Sequence, residues 1–115
     1  MNQKEHEVQK AIKEYLDARG FCWWAVPNGG QRNIKVASKL QAEGVKKGVP
    51  DITLIHEGMF YALEVKKPKG ATPKGYLSKA QKAMIKKIET NGGQVKVVYS
   101  VADVIEALID WEIRT

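Results

Sequence analysis

Apolar positions along the chain change their period several times, and each change marks an element. Between Lys4 and Arg19 the residues Val8, Ile12, Tyr15 and Leu16 recur at helical spacing, and the run stops at Gly20, so the pattern predicts a first helix. Phe21-Cys22-Trp23-Trp24-Ala25-Val26 is a short aromatic stretch followed by Pro27-Asn28-Gly29-Gly30, which predicts a buried strand and then a loop. Arg32 to Gln41 is mixed and weakly helical. Ile52-Thr53-Leu54-Ile55 and Met59 to Val65 flank His56-Glu57-Gly58, the pattern of a β-hairpin. Lys67 to Gly75 holds too much Pro and Gly for regular structure and reads as a basic loop.

Ser78 with Gln81 three residues later forms a capping box, opening a helix whose buried stripe is Met84, Ile85 and Ile88 and whose stop is Asn91-Gly92-Gly93. Gln94 to Tyr99 is a further strand. Ser100 and Asp103 open a last helix that buries Val101, Val104, Ile105 and Leu108, with Trp111 at its end. The order is αβ(α)ββαβα over residues 1–115, a single α/β domain without internal repeats. A small mixed β-sheet flanked by helices on both sides is the architecture that buries these faces.

Composition narrows the function classes. The 115 residues are 43% apolar and 28% charged, as in an ordinary globular domain. No apolar run approaches the ~20 residues that span a bilayer, and the N-terminal residues lack a secretion signal. No membrane partner is expected, and the expected location is the cytoplasm. The single cysteine, Cys22, excludes an internal disulfide and a Cys-based zinc site, and Cys22 and Trp23 read as core. His6 and His56 do not form a ligand pair and read as surface residues. With 19 Lys and Arg against 13 Asp and Glu, the net charge of +6 suggests an anionic partner, most simply nucleic acid.

Candidate chemistry lies in the hairpin. Strand alternation places Glu64 and Lys66 on one face, and pairing across the turn near Gly58 brings Asp51 back beside them. Two half-buried carboxylates need a cation to offset them. Mg²⁺ suits such a site, because it accepts one or two carboxylates while keeping waters and substrate phosphate oxygens. Asp51, Glu64 and the backbone carbonyl of Val65 are the candidate ligands, and Lys66 is placed to orient a metal-bound water or balance transition-state charge. Mn²⁺ is expected to substitute. A purely structural acid–lysine pair on the hairpin is the alternative reading.

Gly48-Val49-Pro50-Asp51, a strand, a turn and Glu64-Val65-Lys66 resemble the PD-(D/E)xK signature of the restriction-endonuclease-like nucleases. Within that superfamily the chain is most similar to the VRR-NUC (virus-type replication-repair nuclease) family. The resemblance covers the helix written Glu5-x-x-Val8-Gln9, the Lys47-Gly48-Val49-Pro50-Asp51 block, the Glu64-x-Lys66 strand, the Ser78-x-x-Gln81 helix start and the closing strand. It implies a restriction-endonuclease-like core and a metal-dependent endodeoxyribonuclease. It also implies a further acid from the first helix. At about 100° per residue, Glu5 shares a side with Val8, Ile12 and Leu16 while Glu7 lies toward the polar face, so Glu5 is the candidate and Glu7 its alternative.

Gln9, one turn after Glu5, is expected to support the metal site or contact the scissile phosphate. For Gln81 such a role stands beside that of the capping box. Arg32, Lys35, Lys39, Lys46 and Lys47 precede the catalytic block, and Lys67, Lys69, Lys74, Lys79 and Lys82 follow it. They are the candidate phosphate contacts. Small stand-alone VRR-NUC proteins of phage and bacteria are similar to Holliday-junction resolvases and act as homodimers. The resemblance therefore implies a branched-DNA substrate, a four-way junction cut in recombination or repair, in a bacterial or phage-infected cell. A closed two-fold dimer would match a two-fold junction. The last helix and the Trp23–Trp24 strand are the candidate interfaces, with flaps, nicks or plain duplex as alternative substrates and a non-catalytic nucleic-acid-binding module as the remaining alternative.

Overall fold

The computed structural model describes residues 3–27, 33–68, 70 and 76–114. The elements run α1 (Gln3–Ala18), β1 (Cys22–Ala25), α2 (Ile34–Ala42), β2 (Ile52–His56), β3 (Met59–Val65), α3 (Lys79–Thr90), β4 (Gln94–Val98) and α4 (Val101–Asp110), the order that the periodicity predicts. They form a four-stranded sheet in the order β1-β2-β3-β4. The first two pairings are antiparallel, and the β3–β4 pairing is parallel, reached by the crossover through α3. Among the described residues no helix is long and apolar enough to cross a membrane.

Strand alternation decides what each face carries. Ile52 and Leu54 of β2 stand opposite Leu63 and Tyr61 of β3, and Val65 stands beside Val98 of β4. These side chains form one buried cluster with Ile12 and Leu16 of α1 and with Val104, Ala107 and Leu108 of α4. Trp111 closes that layer, its ring 4.7 Å from the Tyr61 ring. The opposite parity of β3, including Ala62 and Glu64, belongs to the other face, where α3 packs beside β4. An acid at position 64 is thus kept out of the main core and beneath a helix start.

The helix ends explain why the sequence parses so cleanly. Asn33, Ser78 and Ser100 cap α2, α3 and α4, each accepting a hydrogen bond from the backbone N–H three residues on. In the α3 box the Gln81 side chain returns a bond to the Ser78 N–H, whereas Asp103 reaches one residue further and accepts from the Tyr99 N–H. The four described helices share one C-terminal motif, with paired backbone bonds such as Gly44 N–H to Gln41 C=O and Val45 N–H to Leu40 C=O. Glycines 20, 44 and 92 hold the left-handed position in three of them, but α4 uses Glu112 at φ 58°. A non-glycine residue there costs about 1–2 kcal/mol. Glu112→Gly is therefore expected to stabilise the protein by about 0.5–1 kcal/mol, part of the relief being lost to the freer unfolded chain. The check is a higher urea midpoint at unchanged slope; a lower midpoint would contradict it.

Three expectations need correction. β1 is an edge strand with one neighbour, so Cys22, Trp24 and Ala25 are exposed rather than buried. Trp23 is half-buried, packing against the core while its indole N–H donates to Asp17 Oδ1 at 2.8 Å. On α4 the buried stripe runs through Val104, Ala107 and Leu108 and leaves Ile105 on the exposed side. On α3, Met84, Ile85 and Ile88 are half-buried, because the helix packs mainly on β4, the edge strand of the sheet.

Candidate active site

The β2–β3 register assembles the acidic pair. Ile52 pairs with Leu63, so one step further Asp51 stands opposite Glu64 at the end of the hairpin away from the turn. Glu57 and Gly58, both at positive φ, make that turn in two residues and leave no slack in the register. Asp51 is held at both ends. Its carbonyl accepts from the Val26 N–H at 2.7 Å, and its Oδ2 accepts from the Val65 N–H at 2.8 Å. The Val65 peptide is thereby drawn against the carboxylates.

Asp51, Glu64 and Lys66 are 6%, 2% and 8% exposed, so this is a buried charged cluster rather than a solvated hairpin edge. Gln81 binds it together from α3. Its Nε2 donates to Glu64 Oε1 at 2.9 Å, while its Oε1 accepts from Lys66 Nζ at 3.1 Å and from the Ser78 N–H at 2.8 Å. The capping box and the acidic cluster are one network, joined through the Gln81 amide. Lys66 Nζ lies 3.9 Å from Glu64 Oε1, a loose ion pair.

Glu64 Oε2 is buried with no hydrogen-bond partner. Burial, then the facing carboxylate of Asp51, raise the Glu64 carboxyl to about 8, with Lys66 opposing and Glu5 adding to the rise. These facts agree physically. Two carboxylates facing each other can only accept, and the contact becomes attractive when a proton or a cation lies between them. The donor set therefore fits a hard divalent ion, which takes oxygen ligands and tolerates few protein carboxylates.

Glu5 is half-buried on α1 and close enough for its charge to act at Glu64, whereas Glu7 is exposed and accepts from Gln3 Nε2 at 3.5 Å. The helix thus separates them as the 100° rule expects. Glu5 stands off from the central pair, since among the described residues no three His, Cys, Asp or Glu side chains gather as a metal cage. Gln9 is half-buried, and its Oε1 lacks a hydrogen-bond partner. His6 is exposed, and His56 sits at the turn end of β2 against the Phe21 ring, far along the hairpin from Asp51.

Lys35 and Lys39 are exposed on α2, Lys46 and Lys47 on the segment leading to Asp51, and Lys79 and Lys82 on α3; Lys67 is half-buried beside Lys66. Arg32, Lys69 and Lys74 lie outside the described residues. One positioning residue received no role from the sequence, namely Gly48. At φ 80° it seats the segment before Asp51 directly on α3, and a Cβ there would lie 2.4 Å from the Ala80 carbonyl oxygen. The signal was its place in Gly48-Val49-Pro50-Asp51, but only the fold shows what it touches. Gly48→Ala is expected to cost more than about 2 kcal/mol and to separate Asp51 from Gln81. Urea melts and DNA cleavage should fall together, and a variant as stable and active as the parent would refute the close seating.

The sequence matches the VRR-NUC domain family over residues 3–102. Among solved structures, a VRR_NUC domain protein superposes with a TM-score of 0.73 at 21% identity, over 96% of this chain and 89% of that one. At that identity the likeness carries the fold, which is the restriction-endonuclease-like one. No curated protein matches the sequence. A match over most of the chain, on a fold that places Asp51, Glu64 and Lys66 together at one sheet end, shows that this protein belongs to the VRR-NUC nuclease family.

Proposed function

We propose that the protein is a Mg²⁺-dependent endodeoxyribonuclease that hydrolyses phosphodiester bonds in branched DNA, acting as a homodimer on four-way junctions. The observation that carries the reading is the buried, face-to-face Asp51–Glu64 pair with an unpartnered Glu64 oxygen and Lys66 beside it. Asp51, Glu64 and the Val65 carbonyl would hold the ion, and Glu5, rather than Glu7, would complete the acidic set. The ion, Mg²⁺ or Mn²⁺ in its place, would supply Lewis-acid chemistry at the phosphate when bound. Lys66, aimed by Gln81, orients the attacking water and offsets charge developing on the phosphate. Gln81 in turn fixes which Glu64 oxygen is engaged and which is left free. Gln9 supports the α1 side of the site.

The lysines on α2, α3 and the segment between α2 and β2 would engage backbone phosphates without reading bases. Trp24 on β1 and Ile109 on α4 expose apolar surface that a second copy would cover. The decisive assay compares a four-way junction, a flap and linear duplex with Mg²⁺ or Mn²⁺, for the parent and Asp51→Asn, with the solution mass measured alongside. The parent is expected to cut junctions as a dimer, and Asp51→Asn to bind them uncut. Equal cutting of linear duplex would remove the junction reading. A parent that binds DNA and cuts nothing with either metal would remove the enzyme reading.

A further inference from the structure

Beside the acidic cluster, a cleft of about 850 Å³ separates α2 from the first turn of α3. It exists because α2 stands off the body of the protein, with no fully buried residue of its own. Its walls are chiefly apolar. Leu40 and Val45 are brought side by side by the motif that ends α2, in which the Val45 N–H bonds to the Leu40 carbonyl, and Val49 continues the surface toward Asp51. Lys46 and Lys47 line it as well, and none of the described lining residues is acidic. The cleft joins the catalytic cluster twice. Gln81, which donates to Glu64, forms part of its wall, and so does Val26, whose N–H holds the Asp51 carbonyl.

We infer that this cleft receives an unpaired nucleotide next to the scissile phosphate, with the base and sugar on the apolar wall and the adjoining phosphate at Lys46 and Lys47. The inference rests on the nuclease reading only for the direction from which the strand arrives. An amphiphilic lining of this kind matches a nucleotide, one half apolar ring and one half anion, better than it matches a purely apolar or purely anionic ligand. The volume lies within the roughly 300–1,000 Å³ of small-molecule pockets, the scale of a nucleotide rather than of a stretch of duplex. No aromatic ring lines it among the described residues, so the base is held by aliphatic contact, tolerant of base identity. Such a cleft would favour DNA in which a nucleotide next to the cut is unpaired or can be drawn out of the stack.

The test uses the Asp51→Asn chain, titrated by fluorescence anisotropy into a short oligothymidylate and into a blunt duplex of similar charge. Adding Leu40→Trp fills the cleft and is expected to weaken the oligothymidylate about tenfold while changing the duplex less than about twofold. Lys46→Ala and Lys47→Ala should each flatten the salt dependence of oligothymidylate binding by about 0.7 in log–log slope. If Leu40→Trp fails to melt cooperatively, Ala37→Leu, on the same wall, carries the comparison. Equal loss on both DNAs, or loss on neither, overturns the inference and leaves junction cleavage standing. A parent that cuts nothing, combined with a tenfold loss confined to the oligothymidylate, would instead sink the nuclease reading and leave the nucleotide cleft.

Discussion

Glu64→Gln is expected to raise the stability of the metal-free protein while lowering cleavage by on the order of 10²–10³-fold. The two effects share one cause. Glu64 is 2% exposed, faces Asp51 across the β2–β3 ladder and leaves Oε2 without a partner. Its carboxyl, pushed up to about 8 by burial and by Asp51, holds its proton in the folded state over a range where the unfolded chain has released it. For an acid raised in this way, the folded state binds more protons between its unfolded value near 4.5 and about 8. Stability therefore falls as pH rises through that window.

The introduced amide carries no charge, keeps an oxygen for the Gln81 Nε2–H and offers an N–H toward Asp51. The gain over the parent should be near zero at pH 4.5 and grow to on the order of 2 kcal/mol at pH 8.5. Melting of both chains in chelator across this range is the measurement. Parallel curves would contradict the strained pair, and Mg²⁺ should close the gap at high pH by stabilising the parent alone.

The hairpin was readable because its geometry is local. A tight turn between segments of similar length brings Asp51 back beside the Glu64–Lys66 end before any tertiary contact is known, while the register that sets it opposite Glu64 follows from β2 reaching His56 and leaving a two-residue turn. Capping boxes at Ser78 and the glycines ending α1 and α3 are local for the same reason. What escaped depends on which element lies next to which. The aromatic content of β1 signals β-structure equally well for a central strand and an edge strand, and only the sheet order exposes Trp24. Gly48 looks like an ordinary loop glycine until Ala80 is found above it. The α4 stop at Glu112 carries no glycine signal at all, since Ile113 returning to pack with Leu108 forces the left-handed residue. The α2 segment reads as mixed and weakly helical, and its separation from α3, which makes the cleft, is a tertiary fact.

Lys66→Met should reduce cleavage by on the order of 10²–10⁴-fold with little change in DNA affinity. Lys66 is 8% exposed, so its ammonium is not among the exposed lysines proposed to meet backbone phosphates, and its loss should not alter the salt dependence of binding. The substitution is a cleaner probe than removal of Gln81. Gln81 Oε1 keeps the Ser78 N–H when Lys66 is lost, so the α3 cap survives, whereas Gln81→Leu would remove the cap, the Glu64 contact and the Lys66 contact at once. The cost in stability should stay near 1 kcal/mol, the worth of one hydrogen bond, because the ion pair with Glu64 is loose at 3.9 Å. Lys66→Arg should not restore the rate, since a planar fork cannot occupy the volume of a compact ammonium held at 3.1 Å from one amide oxygen. Single-turnover cleavage with saturating enzyme separates the two readouts. A Lys66→Met chain that cuts within about threefold of the parent would reduce Lys66 to a structural partner of Gln81, and a comparable loss of affinity and rate would move it to the binding surface.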